Sequence, residues 1–263
     1  MRRFATALLA LTLAGCAHAA VDTVDHGDVG SHWAHARQMV VVTTGGWDDI
    51  HGQLRRFERD AGDQWRQVGD ARAVVIGKSG AAWGIGLHDT PADATGPIKR
   101  EGDGRSPAGV FGIGVAFGYA ATASTGLDYA AMDAGDYCVD VGGSPLYNQI
   151  VDSADVGADA VKDSSEPMRR DLHVDGDQAY RLGFVIEHNP QGKALGGSCI
   201  FAHLWKSADT GTAGCTAMEP ATMQPLLQWL DAKAQPVFVL LPFDAYRNLQ
   251  SAWQLPALAG SPQ

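Results

Sequence analysis

A cysteine at 215 sits in the run Thr212-Ala213-Gly214-Cys215-Thr216-Ala217, and His203 precedes it by twelve positions. A thiol is a weak nucleophile while protonated, with an ordinary pKa near 8.5, and a neighbouring imidazole near 6.5 is the usual means of ionising it at neutral pH. Small residues around the thiol let backbone approach a ligand closely and aim N–H groups at it, so such a turn can serve as an oxyanion hole. If Ser198 to Leu204 is extended, alternation places Cys199, Phe201 and His203 on one face and Ile200, Ala202 and Leu204 on the other. The chemistry this would serve is nucleophilic acyl transfer with His203 as base. A competing reading takes Cys199, His203 and Cys215 as three zinc ligands. Its spacing is looser than usual for zinc, and neither HExxH nor CxxC occurs.

The elements around this pair read as strands. MVVVTT (Met39 to Thr44) ends in Gly45-Gly46, a buried-strand signal. Gln53 to Asp60 and Gln64 to Val68 flank Ala61-Gly62-Asp63 as a hairpin, with a short helix over LRRFER as the alternative. Further strands are expected at AVVIG (Ala73 to Gly77), GFVIE (Gly183 to Glu187), SCIFAHLW (Ser198 to Trp205) and VFVLL (Val237 to Leu241), and a short one closing KREGDGRSPAGVFGIG. Residues 120–135 read as a surface loop. One helix is convincing, over Glu219 to Ala234: Pro220 suits its first turn, Met223, Leu226, Leu227 and Leu230 form an apolar stripe, and Pro236 stops it. Trp33, Trp47, Trp65 and Trp83 read as packing residues, and Trp205, beside His203, as a wall of the cleft.

Composition narrows the function. With 45% hydrophobic residues and 32 glycines, the 263-residue chain can bury one substantial core and make many turns. Its formal charge is -10, and no Lys/Arg stripe interrupts the acidic surface, so nucleic acid is not an expected partner. Arg2 and Arg3 followed by apolar Phe4 to Leu13 read as an export signal over residues 1–19, too short to span a bilayer. Two cleavage sites compete: Leu13-Ala14-Gly15-Cys16 looks like a lipobox that would leave Cys16 lipidated, and Ala17-His18-Ala19 has the A-x-A form. Residues 20–37 are expected to be a flexible tether and 38–263 a single domain. The expected location is extracytoplasmic, with membrane contact only through a lipid on Cys16. Cys138, Cys199 and Cys215 then remain, an odd number that suggests one disulfide and one thiol kept free.

The segments IFAHLW and GTAGCTAM together resemble the signature of the L,D-transpeptidase catalytic domain, the YkuD/ErfK-like family, with His203, Thr212, Gly214 and Cys215 matching its histidine and [Ser/Thr]-x-Gly-Cys element. KREGDGRSPAGVF resembles a second family stretch, and CVDVGGSPLYNQIVD, EPMRR and VIEHN are similar to a subgroup. The resemblance spans most of residues 38–241. It implies a mainly β, β-rich α+β fold: a β-sandwich or flattened barrel with one prominent C-terminal helix and short accessory helices. It implies an enzyme without metal or cofactor that acts on peptidoglycan stem peptides in the periplasm, as L,D-transpeptidase or L,D-carboxypeptidase, through a Cys215 thioester, with backbone N–H groups near Gly214 and Cys215 holding the oxyanion. Ser198 or a backbone carbonyl would orient His203. Cys138 and Cys199 would pair, leaving Cys215 reduced. Ala213 and Ala217 stand where family members carry polar or basic side chains; Lys99, Arg100 or Arg105 would supply that charge, unless they are ordinary surface residues. Two other readings remain open: a hydrolase of peptidoglycan peptide or protein–peptidoglycan amide links, and a catalytically silent wall-binding lipoprotein.

Overall fold

The computed structural model describes residues 32–91 and 94–258; the expected export signal, Cys16 and most of the tether lie outside them. The protein is mainly β, with 34% strand and 16% helix. Its strands are β1 (Gln38–Thr44), β2 (His51–Arg59), β3 (Trp65–Val75), β4 (Ala81–Trp83), β5 (Ser106–Gly118), β6 (Tyr129–Ala131), β7 (Asp136–Cys138), β8 (Ile150–Asp152), β9 (Glu166–Pro167), β10 (Leu182–Ile186), β11 (Phe201–Leu204), β12 (Thr216–Met218) and β13 (Val237–Pro242). The helices are short: α1 (Ser153–Val156), α2 (Ala158–Val161), α3 (Arg170–His173), α4 (Pro220–Trp229) and α5 (Phe243–Leu249).

Every residue of β1 is buried, as its β-branched run requires, because β2 lies antiparallel on one side and β13 parallel on the other. From there the order runs β10-β11-β12-β3-β2-β1-β13-β5, and β10 also pairs with β5, so the sheet closes on itself. Its narrowest seam is β12 to β3, where Ala217 opposite Val75 is the one register pair. Val40, Val42, Val239, Phe238, Phe111 and Leu226 belong to the main core. A second sheet, β8-β7-β9, with α1 to α3, arises from the stretch between β6 and β10. It contributes Cys138 and Met168 to a smaller cluster with Phe117, Tyr180, Phe201 and Cys215.

Several expectations are revised. The fold takes in residues assigned to the tether: Trp33 is buried edge-to-face against Trp253, and the Arg37 N–H reaches the Ala234 carbonyl. The hairpin expected there does form, and LRRFER is strand rather than the alternative short helix, because both β1 and β3 pair with it. The strand after the glycine-rich stretch is long, thirteen residues, since β4, β6, β10 and β13 all pair along β5. The loop expected over 120–135 contains β6. The C-terminal helix ends at Trp229, not at Ala234. Gln38 stops it: its side-chain amide donates to the Trp229 carbonyl at 2.7 Å and its oxygen accepts from the Asp231 N–H at 2.9 Å, which turns Leu230 to extended backbone.

Candidate active site

β11 alternates as its period requires. Ala202 and Leu204 join the main core, whereas Phe201 joins the smaller cluster, and His203 shares the Phe201 face. The expected extended run is shorter at its start, because Cys199 has φ 55° and the strand begins at Phe201. That left-handed residue is held by its disulfide to Cys138, whose S–S distance is 2.05 Å, and by its N–H bond to Asn148 Oδ1 at 2.8 Å. The bridge consumes the sulfur that a zinc site would need, so the zinc reading is set aside.

Cys215 is the free cysteine of the described residues and is buried. β12 starts directly after it and runs parallel to β11, with His203 opposite Ala217. In that register Cys215 falls beside Phe201, on the face that carries His203, one side-chain repeat away. Its Sγ accepts from the Phe201 N–H at 3.3 Å and donates to the Cys199 carbonyl at 3.5 Å. No hydrogen bond joins Cys215 to His203. The turn before the cysteine is stitched to the neighbouring segment: the Thr212 N–H donates to Ile76 O, and the Lys78 N–H donates to Thr212 O. Thr212 Oγ1 donates to the Cys215 carbonyl at 2.6 Å and accepts from the Gly214 N–H at 3.1 Å. Ser106 Oγ donates to the same carbonyl at 2.9 Å. A Cβ at Gly214 would meet the Arg105 carbonyl at 3.1 Å, a tight contact that a side chain there could relieve only by a small shift of the neighbouring backbone. The Gly214 N–H, expected to face an oxyanion, is therefore already engaged by Thr212.

His203 Nδ1 lies 2.8 Å from the Leu204 carbonyl. A carbonyl only accepts, so Nδ1 carries the proton and Nε2 presents a lone pair. Nε2 makes no hydrogen bond among the described residues and is not sealed from the groove that His203 lines. The orienting group is thus this backbone carbonyl. Ser198 does not serve: its hydroxyl donates to Glu101 Oε2 at 2.7 Å. Burial lowers His203 to about 4 and pushes Cys215 up to about 12, with Glu166 raising the thiol further. Both groups are neutral at rest.

Cys215 and His203 line one groove of about 880 Å³ with Lys99, Trp205, Tyr180 and Glu166. Of the three expected cations, Lys99 alone lines it, and its ammonium is bound to Asp103 at 2.6 Å and to the Arg100 carbonyl at 2.7 Å. Arg100 is exposed and is not among the residues that line the groove. Arg105 is structural: its guanidinium binds Asp48 and the carbonyls of Trp47 and Ala81. Sequence reasoning missed Tyr180, Glu166 and Arg170. Tyr180 stands edge-on to His203 at 5.1 Å, donates its hydroxyl to Glu166 Oε1 at 2.7 Å, and carries the Arg170 guanidinium 5.2 Å above its ring. The signal for two of them was EPMRR, a charged pair in a stretch with no helical or strand period; nothing marked Tyr180.

No protein-family model matches the chain, and no curated protein matches it.

Proposed function

We propose that the protein is an exported cysteine acyltransferase of the L,D-transpeptidase type, acting on peptidoglycan stem peptides in the periplasm and held to the membrane, if at all, by a lipid on Cys16. The observation that carries the reading is a free cysteine and a histidine of fixed tautomer on one face of two parallel strands, both lining one groove. The closed sheet, the helix α4 and the short accessory helices agree with the L,D-transpeptidase-like fold implied by the signature residues.

Substrate entry would displace water and bring Nε2 of His203 against the thiol, a contact that often tightens only in the substrate complex. His203 takes the thiol proton as Sγ attacks the carbonyl on the L-centre of the third stem residue. The proton then goes to the departing D-Ala amine, and a Cys215 thioester remains. With the Gly214 N–H engaged, the oxyanion falls to the N–H of Cys215 itself, on the order of 3 kcal/mol for such a donor. An amine acceptor gives cross-linking or protein anchoring; water gives L,D-carboxypeptidase activity.

The neutral resting pair and the missing Cys215–His203 bond favour one other reading, a silent wall-binding module. Incubation with a defined tetrapeptide stem, read by mass spectrometry, separates the two. Loss of D-Ala with a covalent adduct that disappears in Cys215→Ala is the expected result. A folded protein that never forms the adduct would leave the binding module as the answer.

A further inference from the structure

Glu166, on β9, lines the same groove as the imidazole. Its Oε1 accepts from the Tyr180 hydroxyl at 2.7 Å and from Arg170 at 3.0 Å, while Oε2 makes no hydrogen bond among the described residues. Tyr180 and Cys215 belong to one buried cluster and line the same groove. A hydrogen-bonded carboxylate and phenol therefore stand in the groove that holds the nucleophile. A fixed anion here opposes formation of the thiolate, so it is an odd companion for the first half of an acyl transfer. In the second half the sulfur is a neutral thioester, and the same anion can accept a proton without repelling anything.

We propose that Glu166 serves the second half-reaction, taking the proton from the amine or water that attacks the Cys215 thioester and returning it through the Tyr180 hydroxyl to the leaving sulfur. The proposal rests on the reading of Cys215 as an acyl-accepting nucleophile. In the step, the acceptor's N or O bonds to the acyl carbon and its proton passes to the Glu166 carboxylate. The C–S bond then breaks, the sulfur takes the Tyr180 hydroxyl proton, and the Glu166 carboxyl restores that proton to the phenol. One proton has moved from acceptor to thiol, and Glu166 ends as carboxylate.

The surroundings suit a proton acceptor. Burial raises the Glu166 carboxyl above its ordinary value, Asp140 adds to the rise, and Tyr180 and Arg170 oppose it. Arg170 is itself shared with Asp177 at 3.0 Å, so it does not neutralise Glu166 alone.

The test uses the full chain with a tetrapeptide stem and compares wild type with Glu166→Gln and Tyr180→Phe. Glu166→Gln keeps oxygen and nitrogen in place of the carboxylate and removes the base. It should still form the thioester, which then accumulates as a stable mass adduct while transfer slows by about 10²–10⁴-fold. The acid limb in the pH profile of the transfer step should vanish with it. Tyr180→Phe keeps the carboxylate, interrupts the path and should also accumulate thioester. It decides the matter if the glutamine variant does not fold. Transfer within about threefold of wild type with an unchanged pH profile overturns the proposal, as does loss of thioester formation in a folded Glu166→Gln protein. Absence of any adduct on wild type overturns it together with the parent reading, and so marks that failure apart.

Discussion

The Leu204 carbonyl holds Nδ1 of His203 at 2.8 Å, which leaves Nε2 as the only basic atom of the ring. The residue that fixes the tautomer is thus the next one along the same strand, and no carboxylate takes part in the contact. An imidazole oriented by a neutral acceptor gains little help in becoming imidazolium, consistent with its low resting affinity for protons.

Cys215 should accordingly be slow toward simple alkylating reagents. With its pKa pushed to about 12, its thiolate fraction at pH 8 is roughly a thousandfold below that of an ordinary thiol. Iodoacetamide labelling of folded protein, followed by mass against time, should show that lag. Rapid labelling with a midpoint near pH 6 would instead reveal a standing thiolate–imidazolium pair.

Thr212 should matter more than its half-exposed position suggests. Thr212→Val keeps shape but removes the bond to the Cys215 carbonyl and the acceptor for the Gly214 N–H, a loss of about 1–3 kcal/mol. Thr212→Ser should retain most of both stability and thioester formation. Equal denaturation midpoints for valine, serine and wild type would contradict the account.

Removing the Cys138–Cys199 bridge, which closes a separation of 61 residues, should cost about 4 kcal/mol on the chain-entropy model. Because Cys199 also offers its carbonyl to the Cys215 thiol, the paired Cys138→Ala, Cys199→Ala variant should label faster at Cys215. A variant that loses stability but labels at the wild-type rate would separate the bridge from the site.

Acid should destabilise the protein below pH 6.5. Burial lowers His88, His188 and His203 each to about 4, so between 6.5 and 4 the unfolded chain binds protons that the folded one refuses. The stability is complete above 6.5 and falls as pH drops toward 4, by about 3 kcal/mol per imidazole. The raised Glu166 carboxyl works in the opposite sense and offsets part of it. Melting temperatures measured from pH 7.5 to 4.5 should decline steadily; a flat series would refute the burial argument.

Much of this architecture was legible where one local pattern decided the outcome. The β-branched Met39–Thr44 and Val237–Leu241 runs became neighbouring core strands, and the alternation of Phe201 and His203 against Ala202 and Leu204 set the site's face. The signature around Cys215 pointed to the thiol. What escaped was set by distant partners. Nothing near Trp229 announces a helix end, because the capping group is Gln38, 191 positions away. Gly214 looked free in sequence and is engaged by a neighbour's hydroxyl. Arg105 looked like a substrate cation, but its three partners belong to segments that only the fold brings together. Tyr180 joins the cluster around Cys215 from a turn whose sequence, Gln178 to Arg181, carries no motif.

The one-pair seam between β12 and β3 leaves most of β3 with an outer edge that bears no partner strand among the described residues. Such an edge is a template on which another chain's strand could grow, and so a route to precipitation. The opposing pair is interrupted by a register shift between Leu54 and Arg56, Gly69 turns β3 to positive φ, and Arg66, Asp70 and Arg72 line the exposed strand. A bent, mixed-charge border offers an incoming strand neither flat pairing nor an apolar face. These features disfavour self-association at the opening where the cysteine turn sits beside Ile76 and Lys78.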